Sequence, residues 1–595
     1  PVAWFILKCT LEYPQRLANQ HRPLPGFALE SREFMEGYFK AKGLKDAALR
    51  VQLASLGLAS QTQVTSQPQL TGVQVEVTSV EADLAWHVRA WGWWVLQQAK
   101  ADLERFYPTV DGKPTVAYLW ARTVTCKNCR ATVPLLKTRW LCKKDKKRVI
   151  LTMQPNADKT GVVFGIQEDV PHSKGTTSQR GEAEKRIGPG TMSGSGVTCP
   201  CCGTIMTRED LQQAGLKGNL GTIMTAVVVE GQQGKEYRLP TAEEIKLASE
   251  AENELEKTFA EIPYGIPEEL IPQGASRVGG GSSFTVSLYG LTRWRDLFTP
   301  RQLLALGTFV KYTRSIGQTM REQGYIEELI EAVSAYLTIG IDKLADYIAA
   351  LCTWHISREV IGHVFVRFAL PVNWDFAEIN PLSNSSGNYL ACVDWVSKVV
   401  EHITHASEKS VEPHIIRQSA ISGNNSDKFD AIVTDPPYYD AISYSDLMDF
   451  FYVWLRRSLH GISPDIDAVF QHPSSPKWDH EHNDGELIDE ASRFDNDRHK
   501  SKANYEDGMF RAFQACHKAL QPDGRLVIVF AHKHPDAWET LVMAIIRAGF
   551  VVDGSWPIQT EMGNRTRALS SAALSSSVWL VCKKRPETAR PGWDS

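Results

Sequence analysis

The alternation of apolar and polar positions predicts strands and helices in turn along the last third of the chain. Four apolar runs have the length and β-branched content of strands, at residues 429–434, 525–530, 550–556 and 577–583. Helices are predicted between these strands. Residues 447–459 and 507–520 have helical spacing, and a third helix is expected to begin at Pro535-Asp536 and to end at Gly549. This order is typical of an α/β fold whose mostly parallel sheet has one reversed strand, closed by a hairpin.

Helical periodicity dominates the earlier part of the chain. Residues 28–60, 80–107, 242–262 and 299–368 are predicted to be helical. The second segment carries Trp86, Trp91, Trp93 and Trp94, which are expected in a core or domain interface rather than on a base-stacking platform. Residues 60–79 are rich in Gln, Thr, Val and Ser and predict a loop or weak hairpin.

The candidate chemistry begins at Asp435-Pro-Pro-Tyr438, which directly follows the run Phe429–Thr434. That run predicts a buried strand, and the two prolines end it in a stiff turn. A carboxylate and an aromatic ring are thereby placed at the carboxyl end of a strand, where open α/β sheets bind ligands. The alternative is an ordinary proline-rich turn after a strand.

This motif resembles the active-site motif of the amino-methyltransferases, which methylate exocyclic base amines with S-adenosylmethionine (SAM). The resemblance implies that Asp435 and the Pro436 carbonyl accept the two amine hydrogens and aim the lone pair at the sulfonium methyl group. Pro437 stiffens the motif, and Tyr438 stacks on a base flipped out of the duplex.

Two Cys-x-x-Cys pairs predict a metal site. They are Cys126-Lys-Asn-Cys129 and Cys199-Pro-Cys-Cys202, and Gly203 favours the tight turn after the second pair. Four thiolates suit a structural Zn²⁺ that keeps no open position for water. The alternative is a set of reduced thiols without metal, and Cys142 and Cys201 are candidate spare thiols. The stretch between the pairs holds the basic run Lys143–Arg148 and a Gly/Ser/Lys-rich segment, 173–196, and predicts a flexible insertion. The basic run is either a phosphate contact or a solvated charge patch.

Further motifs extend the resemblance over most of the chain, to the Zn-ribbon-containing adenine-specific DNA methylases, a bacterial and archaeal family often associated with restriction or phage-defence loci. They are Asp435-Pro-Pro-Tyr-Tyr-Asp440, Asp449-Phe-Phe-Tyr-Val-Trp454, Val529-Phe-Ala-His-Lys533, Asp536-Ala-Trp-Glu-Thr540, Trp556-Pro-Ile558, Thr560-Glu-Met-Gly-Asn564, Ser577-Val-Trp-Leu-Val581, Tyr289-Gly-Leu-Thr-Arg293, Asp296-Leu-Phe-Thr-Pro-Arg301 and Trp374-Asp-Phe-Ala-Glu378.

The family's SAM loop, an Asp-Pro-Phe followed by glycines, has no counterpart in this sequence. The opening Pro1-Val-Ala3 resembles the segment after the family's second strand, so we expect a fragment that lacks the first strand and the glycine loop and binds SAM weakly. Gly279-Gly-Gly281 is expected to be a linker. Ser419, before the catalytic strand, is a candidate contact to the cofactor adenine.

The resemblance also marks residues that face DNA. Tyr439, His532 and Lys533 are candidate substrate or phosphate contacts, as are Arg565 and Arg567; the alternative for the two arginines is a solvated loop. Residues 460–505 are polar and predict a mobile loop over the active site, within which Asp479-His-Glu-His482 is a weaker metal candidate.

These inferences give a SAM-dependent methyltransferase (Rossmann-like) sheet with large helical insertions and a zinc ribbon. The expected segments are a remnant of the first half (1–20), a helical insertion (21–115), the zinc ribbon with its long inserted loop (116–232), a second helical insertion (233–380), the catalytic half (381–586) and a tail (587–595).

Composition sets the remaining bounds. The net charge is −4, so binding to nucleic acid has to come from local basic surface. No apolar run reaches membrane-spanning length, and the eleven cysteines occur without a signal peptide, so a cytoplasmic protein with reduced thiols is expected.

The predicted function is methyl transfer to the N6 amine of adenine in double-stranded DNA, in restriction-modification or phage defence with partner proteins of such a system. The alternatives are cytosine-N4 methylation and a non-catalytic, zinc-stabilised DNA-binding subunit. Methylation of RNA or of a protein amide, which uses a related Asn-Pro-Pro-Tyr motif, is less favoured.

Overall fold

The computed structural model describes residues 1–58, 80–172, 182, 186–272, 284–366, 368–421, 428–439, 443–532, 535–559 and 577–586. The chain divides into two compact units. Unit 1 comprises Pro1–Ile271, Phe284–Ile415 and Phe450–Pro473, and unit 2 comprises Pro272–Ser283, Ile416–Asp449 and Ser474–Ser595. Several predictions fall outside the described residues, namely those for 60–79, Gly279–Gly281, Lys533, Arg565, Arg567 and 587–595.

Unit 1 is largely helical. Its helices are α1 (Val2–Leu7), α2 (Tyr13–Leu17), α3 (Gly26–Leu29), α4 (Arg32–Ala41), α5 (Asp46–Ser55), α6 (Leu84–Leu103), α7 (Arg208–Leu216), α8 (Ala242–Glu250), α9 (Glu252–Ala260), α10 (Pro300–Glu322), α11 (Glu327–Ile348) and α12 (Tyr389–Ser407). Helix α13 (Tyr444–Leu459) begins in unit 2 and ends in unit 1, which also holds α14 (Pro464–Val469). A π-helical turn, Lys8–Glu12, joins α1 to α2.

The long helices α6, α10, α11 and α12 pack against one another and form the core of unit 1. Helix α6 begins at Asp83, whose carboxylate accepts a hydrogen bond from the Trp86 amide. Trp86 and Trp91 of that helix are buried, whereas Trp93 and Trp94 are half-buried. The expectation of core residues is therefore confirmed for Trp86 and Trp91.

The strands of unit 1 form antiparallel sheets. They are β1 (Arg22–Pro23), β2 (Glu81–Ala82), β3 (Thr115–Thr125), β4 (Thr132–Leu135), β5 (Trp140–Lys144), β6 (Lys147–Pro155), β7 (Val162–Gln167), β8 (Met192–Ser193), β9 (Gly196–Thr198), β10 (Ile205–Met206), β11 (Gly221–Gly231), β12 (Gly234–Arg238), β13 (Trp354–His355), β14 (Val360–Ile361) and β15 (Asp375–Ile379). The main sheet has the order β12-β11-β3-β15, with β4 paired to β3. A second sheet, β5-β6-β7, is a meander formed by residues expected to belong to a flexible insertion.

A buried ion pair joins the main sheet to the helical core. The Arg301 guanidinium, at the start of α10, donates to Glu378 of β15 at 2.6 Å, and both side chains are fully buried. Trp120 of β3 donates to the other oxygen of Glu378 at 2.8 Å. Two motifs distant in sequence thus meet at one carboxylate.

Unit 2 contains a four-stranded sheet with helices packed against it. Its elements are β16 (Phe429–Thr434), β17 (Trp478–Asp479), β18 (Asp484–Gly485), α15 (Arg498–Ala519), β19 (Leu520–Phe530), α16 (Pro535–Arg547), β20 (Phe550–Ile558) and β21 (Ser577–Lys584). The order in the sheet is β16-β19-β21-β20. Strands β16 and β19 are parallel, whereas β21 is antiparallel to both of its neighbours. The prediction of a sheet with one reversed strand is confirmed.

Burial in this sheet follows strand position. Alternate residues of β19, including Leu526, Ile528 and Phe530, are buried against α15 and α16. In β16, Phe429 is 40% and Val433 is 64% exposed. The prediction of a strand at 429–434 is confirmed, but the prediction that it is buried is wrong. The physical reason is that β16 is the edge strand of the sheet formed by the described residues, so one of its flanks has no neighbouring strand.

Residues 460–505 contain regular structure instead of a single loop. They include α14, the two-stranded pairing of β17 with β18, and the start of α15 at Arg498. In the part of the chain that the structure describes, no helix combines the length and the apolar character needed to cross a membrane.

Candidate functional site

The two Cys-x-x-Cys pairs meet in unit 1. The sulfur atoms of Cys126, Cys129, Cys199 and Cys202 all lie within 4.8 Å of one another. Two separations, Cys126–Cys202 and Cys129–Cys199, are 3.7 Å. Tetrahedral Zn²⁺ with Zn–S bonds of about 2.3 Å requires sulfur separations of about 3.8 Å. The four thiols therefore fit such an ion with little rearrangement.

The two pairs occupy equivalent hairpin turns. The first connects β3 to β4, and the second connects β9 to β10. In each turn the amide of the first cysteine donates to the carbonyl five residues on, Cys126 to Ala131 at 2.8 Å and Cys199 to Thr204 at 2.9 Å. The residue after the second cysteine is left-handed in both, with φ of 65° at Arg130 and 76° at Gly203. The turn expected at Gly203 is confirmed, and the first pair reproduces it with an arginine.

The protonation of the thiols differs in the metal-free cluster. Burial raises the pKa of Cys199 to about 12, whereas the hydrogen bond to the Thr204 side chain lowers the pKa of Cys202 to about 5. Metal binding needs thiolates, so it has to displace at least the Cys199 proton. Affinity for the metal is therefore expected to rise with pH.

The two spare cysteines lie outside the cluster. The Cys201 thiol donates to the Gly161 carbonyl at 3.3 Å, and the buried Cys142 thiol donates to the Lys147 carbonyl at 3.3 Å. Among the described residues, one group of His, Cys, Asp or Glu side chains is close enough to share a metal ion, and that group is the cluster of four cysteines. Asp479 instead hydrogen-bonds His482 at 2.7 Å within its own turn.

The basic run Lys143–Arg148 is largely engaged by protein. Lys144 and Lys147 form ion pairs with the buried carboxylate of Glu359 at 2.5 and 2.6 Å. Arg148 is buried and donates to the Val170 carbonyl at 3.0 Å. These three residues therefore have partners within the fold, and a phosphate contact by this run remains a prediction. Among the basic residues of the run, Lys146 is exposed, at the β5–β6 turn.

The Asp-Pro-Pro-Tyr motif lies in unit 2, directly after β16. Asp435 is exposed, whereas Pro436 is buried. Tyr438 is half-buried, and its ring meets Phe530 of β19 edge-on, with centroids 5.3 Å apart. Because β16 and β19 are parallel, the motif and the end of β19 lie at the same edge of the sheet.

Tyr505 of α15 holds the loop in place. Its hydroxyl donates to the Pro437 carbonyl at 2.8 Å and accepts from the Tyr439 amide at 3.2 Å. Its buried ring also meets the Tyr439 ring edge-on at 5.3 Å. Tyr439 is left-handed, with φ of 53°, a conformation that needs such support in a bulky residue. Sequence reasoning missed Tyr505, and no local signal in this polar helix marks it.

The end of β19 contributes a second side chain to the same edge. The ring of His532 lies 5.9 Å from the ring of Tyr439. The carbonyl of His532 accepts a hydrogen bond from the Trp538 indole at 3.0 Å. Tyr439 and His532 therefore lie together at this edge, and contact of either with a substrate remains a prediction.

Tyr444 and Glu486 add further polar groups. Burial, together with the nearby charges of Asp435 and Glu486, raises the pKa of Tyr444. The Glu486 carboxylate accepts from the Ser445 amide at 3.0 Å and pairs with Arg493 at 2.7 Å. The charge of Asp435 therefore acts on a phenol at the start of α13, a feature that the sequence did not reveal.

Ser419, the candidate cofactor contact, hydrogen-bonds Asp484 of β18 at 2.8 Å. Its hydroxyl is therefore already bonded to a protein carboxylate, and its role toward a cofactor remains a prediction. Lys533, Arg565 and Arg567 lie outside the described residues.

Comparison with known proteins identifies no relative. A scan against protein-family models finds no match, and searches of the curated proteins and of the solved structures find none either.

Proposed function

We propose that this chain is a SAM-dependent DNA methyltransferase that acts on the N6 amine of adenine and carries a structural zinc ion. The observation that carries the proposal is the geometry of the Asp-Pro-Pro-Tyr loop. An exposed carboxylate follows a parallel strand, and the loop behind it is hydrogen-bonded into one conformation. Ligands of open α/β sheets bind at this end of the strands.

The order of strands supports the proposal. The reversed strand β21 lies between β19 and β20, and the motif follows the strand parallel to β19. This arrangement is what the second half of a methyltransferase sheet requires. The carboxyl ends of β16 and β19 then face the substrate, and β21 completes the sheet from the opposite direction.

Each loop residue has a defined task under this proposal. Asp435, being exposed, accepts one hydrogen of the target amine, and the Pro436 carbonyl accepts the other. Within the described residues no hydrogen bond is made to the Pro436 carbonyl, whereas the Pro437 carbonyl is occupied by Tyr505. Two fixed acceptors orient the nitrogen lone pair without reorganisation during the reaction.

The aromatic groups bind the flipped base. Tyr438 meets Phe530 edge-on, and under this proposal its half-buried ring stacks on the base. His532 lies beside Tyr439 at the same edge. SAM supplies the methyl group in this proposal, but Ser419 fits it poorly because its hydroxyl is bonded to Asp484, so no step is derived through the cofactor.

The zinc ion stabilises unit 1 and takes no part in the chemistry. All four ligands are thiolates from two hairpins, and no ligand position remains for water. Metal removal should therefore reduce stability before it affects any catalytic group.

Methyl transfer tests the proposal. The full-length gene product is incubated with isotopically labelled SAM and unmethylated double-stranded DNA, and label in the DNA is counted for the wild type and for Asp435→Ala, which removes the acceptor. Label that depends on the Asp435 carboxylate supports the proposal. Equal label with both proteins, or none with either, contradicts it.

A further inference from the structure

Positive charge in this acidic chain is concentrated in the segment that holds the first cysteine pair and the strands after it. Residues 113–157 contain eleven Lys and Arg and one Asp, although the whole chain has a net charge of −4. Much of this charge is internal, since Arg122 and Arg148 are buried and Lys144 and Lys147 neutralise Glu359. The remaining exposed cations are therefore the ones available to a partner.

Three turns converge at the metal end of the ribbon. The amide of Thr132, after the first cysteine turn, donates to the Thr160 carbonyl at 2.8 Å. The thiol of Cys201, in the second cysteine turn, donates to the Gly161 carbonyl at 3.3 Å. The β6–β7 turn, residues 156–161, therefore lies against both cysteine turns.

Two of these turns carry a cation at a left-handed position. Arg130 has a φ of 65° and Lys159 a φ of 56°. Both side chains are exposed, and among the described residues neither forms an ion pair. Asp210 pairs with Lys127 at 2.7 Å, whereas Asp158, beside Lys159 in the turn, accepts from the Thr160 hydroxyl at 2.9 Å and keeps its charge.

The molecule contains its own comparison for Arg130. The equivalent residue of the second cysteine turn is Gly203, which adopts the left-handed conformation without steric cost. The Arg130 amide donates to the Cys126 carbonyl at 3.1 Å, but among the described residues its side chain forms no hydrogen bond or ion pair. Arginine is strained in that conformation, so a strained residue with no such side-chain partner indicates a role for the side chain outside the fold.

We propose that Arg130 and Lys159 form a phosphate-binding pair that holds the backbone of double-stranded DNA at the metal end of the ribbon. The inference rests on the proposed function for its choice of polyanion. A guanidinium donates two parallel hydrogen bonds to a phosphate, and a nearby ammonium adds a point charge. Such contacts fix the position of a protein on DNA without specifying sequence.

The test is the salt dependence of DNA binding. Fluorescence anisotropy of a labelled 30-base-pair duplex of arbitrary sequence is followed from 50 to 250 mM KCl with the full chain loaded with zinc. The variants are Arg130→Gly, Lys159→Gly and the double substitution. Glycine suits both left-handed positions, so each variant is expected to fold and to retain zinc. Lys146→Ala is the matched control, because it removes one exposed charge at the opposite end of β6.

We expect the slope of log K against log [KCl] to fall by about 1 for each residue removed, and by about 2 in the double variant. Arg130→Lys should recover most of the slope. Lys146→Ala should match the wild type. Unchanged slopes in both glycine variants, an equal loss with Lys146→Ala, or no binding by the wild type would overturn the proposal.

A second readout separates this role from neutralisation of the metal–thiolate charge. Zinc affinity is measured by competition with a chromogenic chelator. Weaker zinc binding in Arg130→Gly, with DNA binding intact once zinc is saturating, overturns the proposal. The failure of this inference can be told apart from the failure of the proposed function. If the glycine variants lose DNA binding but the wild type transfers no methyl group, the phosphate-binding pair is supported and the methyltransferase is contradicted.

Discussion

Tyr505 gives the sharpest test of how the motif loop works. The change Tyr505→Phe keeps the buried ring and removes one hydroxyl, which bonds the Pro437 carbonyl at 2.8 Å and the Tyr439 amide at 3.2 Å. That amide and carbonyl also bond each other at 3.0 Å, so neither loses every partner. The net cost is therefore about 1–2 kcal/mol.

The effect on catalysis follows from where that energy acts. If the hydroxyl stabilises the loop geometry needed in the transition state, a loss of about 1–2 kcal/mol lowers kcat roughly 5- to 30-fold. KM for DNA should change little, because Asp435 and Tyr438, the proposed substrate contacts, are retained. The melting temperature should fall by only a few degrees.

A matched control is available in unit 1. The buried hydroxyl of Tyr336 donates to the Cys9 carbonyl at 2.6 Å, so Tyr336→Phe removes a comparable hydrogen bond away from the motif. Initial rates of methyl transfer and thermal unfolding are measured for both variants. The reasoning is refuted if Tyr505→Phe keeps the wild-type kcat, or if Tyr336→Phe loses as much activity at a similar loss of stability.

Three further predictions address unit 1. Cys199→Ser should abolish stoichiometric zinc, measured by elemental analysis, whereas Cys201→Ser should retain it; equal retention contradicts the ligand assignment. Glu378→Gln should lower the free energy of unfolding by about 3–5 kcal/mol in urea titrations, because it leaves the Arg301 charge buried and unpaired, and a loss below about 1 kcal/mol contradicts this. Burial lowers the pKa of His87 to about 4, below its unfolded value of about 6.5, so the unfolded chain binds the proton more readily and stability should fall by about 3 kcal/mol between pH 6.5 and pH 4. Urea titrations of His87→Gln should show a correspondingly smaller fall than the wild type, and parallel curves contradict the assignment.

Much of unit 2 could be predicted from sequence because its signals are local. An apolar run followed by two prolines marks β16, and Pro535 and Gly549 bracket α16. Exposure could not be predicted in the same way. Phe429 and Val433 are as apolar as residues of a central strand, and only the position of β16 at the edge of the sheet leaves them exposed.

The four-cysteine cluster shows the same contrast between what local sequence signals predict and what depends on tertiary contacts. Cys-x-x-Cys spacing predicted the four ligands across a gap of about seventy residues, because each turn is a local structure whose geometry presents its thiols together. The meander β5-β6-β7 within the gap was not predicted. Its lysines were expected either to contact phosphate or to form a solvated charge patch. Lys144 and Lys147 instead pair with Glu359, more than two hundred residues away.

Tyr505 could not be predicted for a similar reason. Its helix is polar and carries no motif, and its role arises only when α15 packs beside the loop of residues 435–439. Positioning residues of this kind depend on tertiary contacts. Sequence patterns therefore identify a motif such as residues 435–438 more easily than they identify the residue that holds its loop in place.

The most direct measurement is the identity of the methylated base. DNA is incubated with the full-length gene product and isotopically labelled SAM, digested to nucleosides and analysed by mass spectrometry, with Asp435→Ala in parallel. The account predicts labelled N6-methyladenine with the wild type and none with the variant. Labelled N4-methylcytosine would replace adenine as the substrate, and an absence of label on every nucleoside would contradict the proposed enzyme and favour a DNA-binding subunit without catalysis.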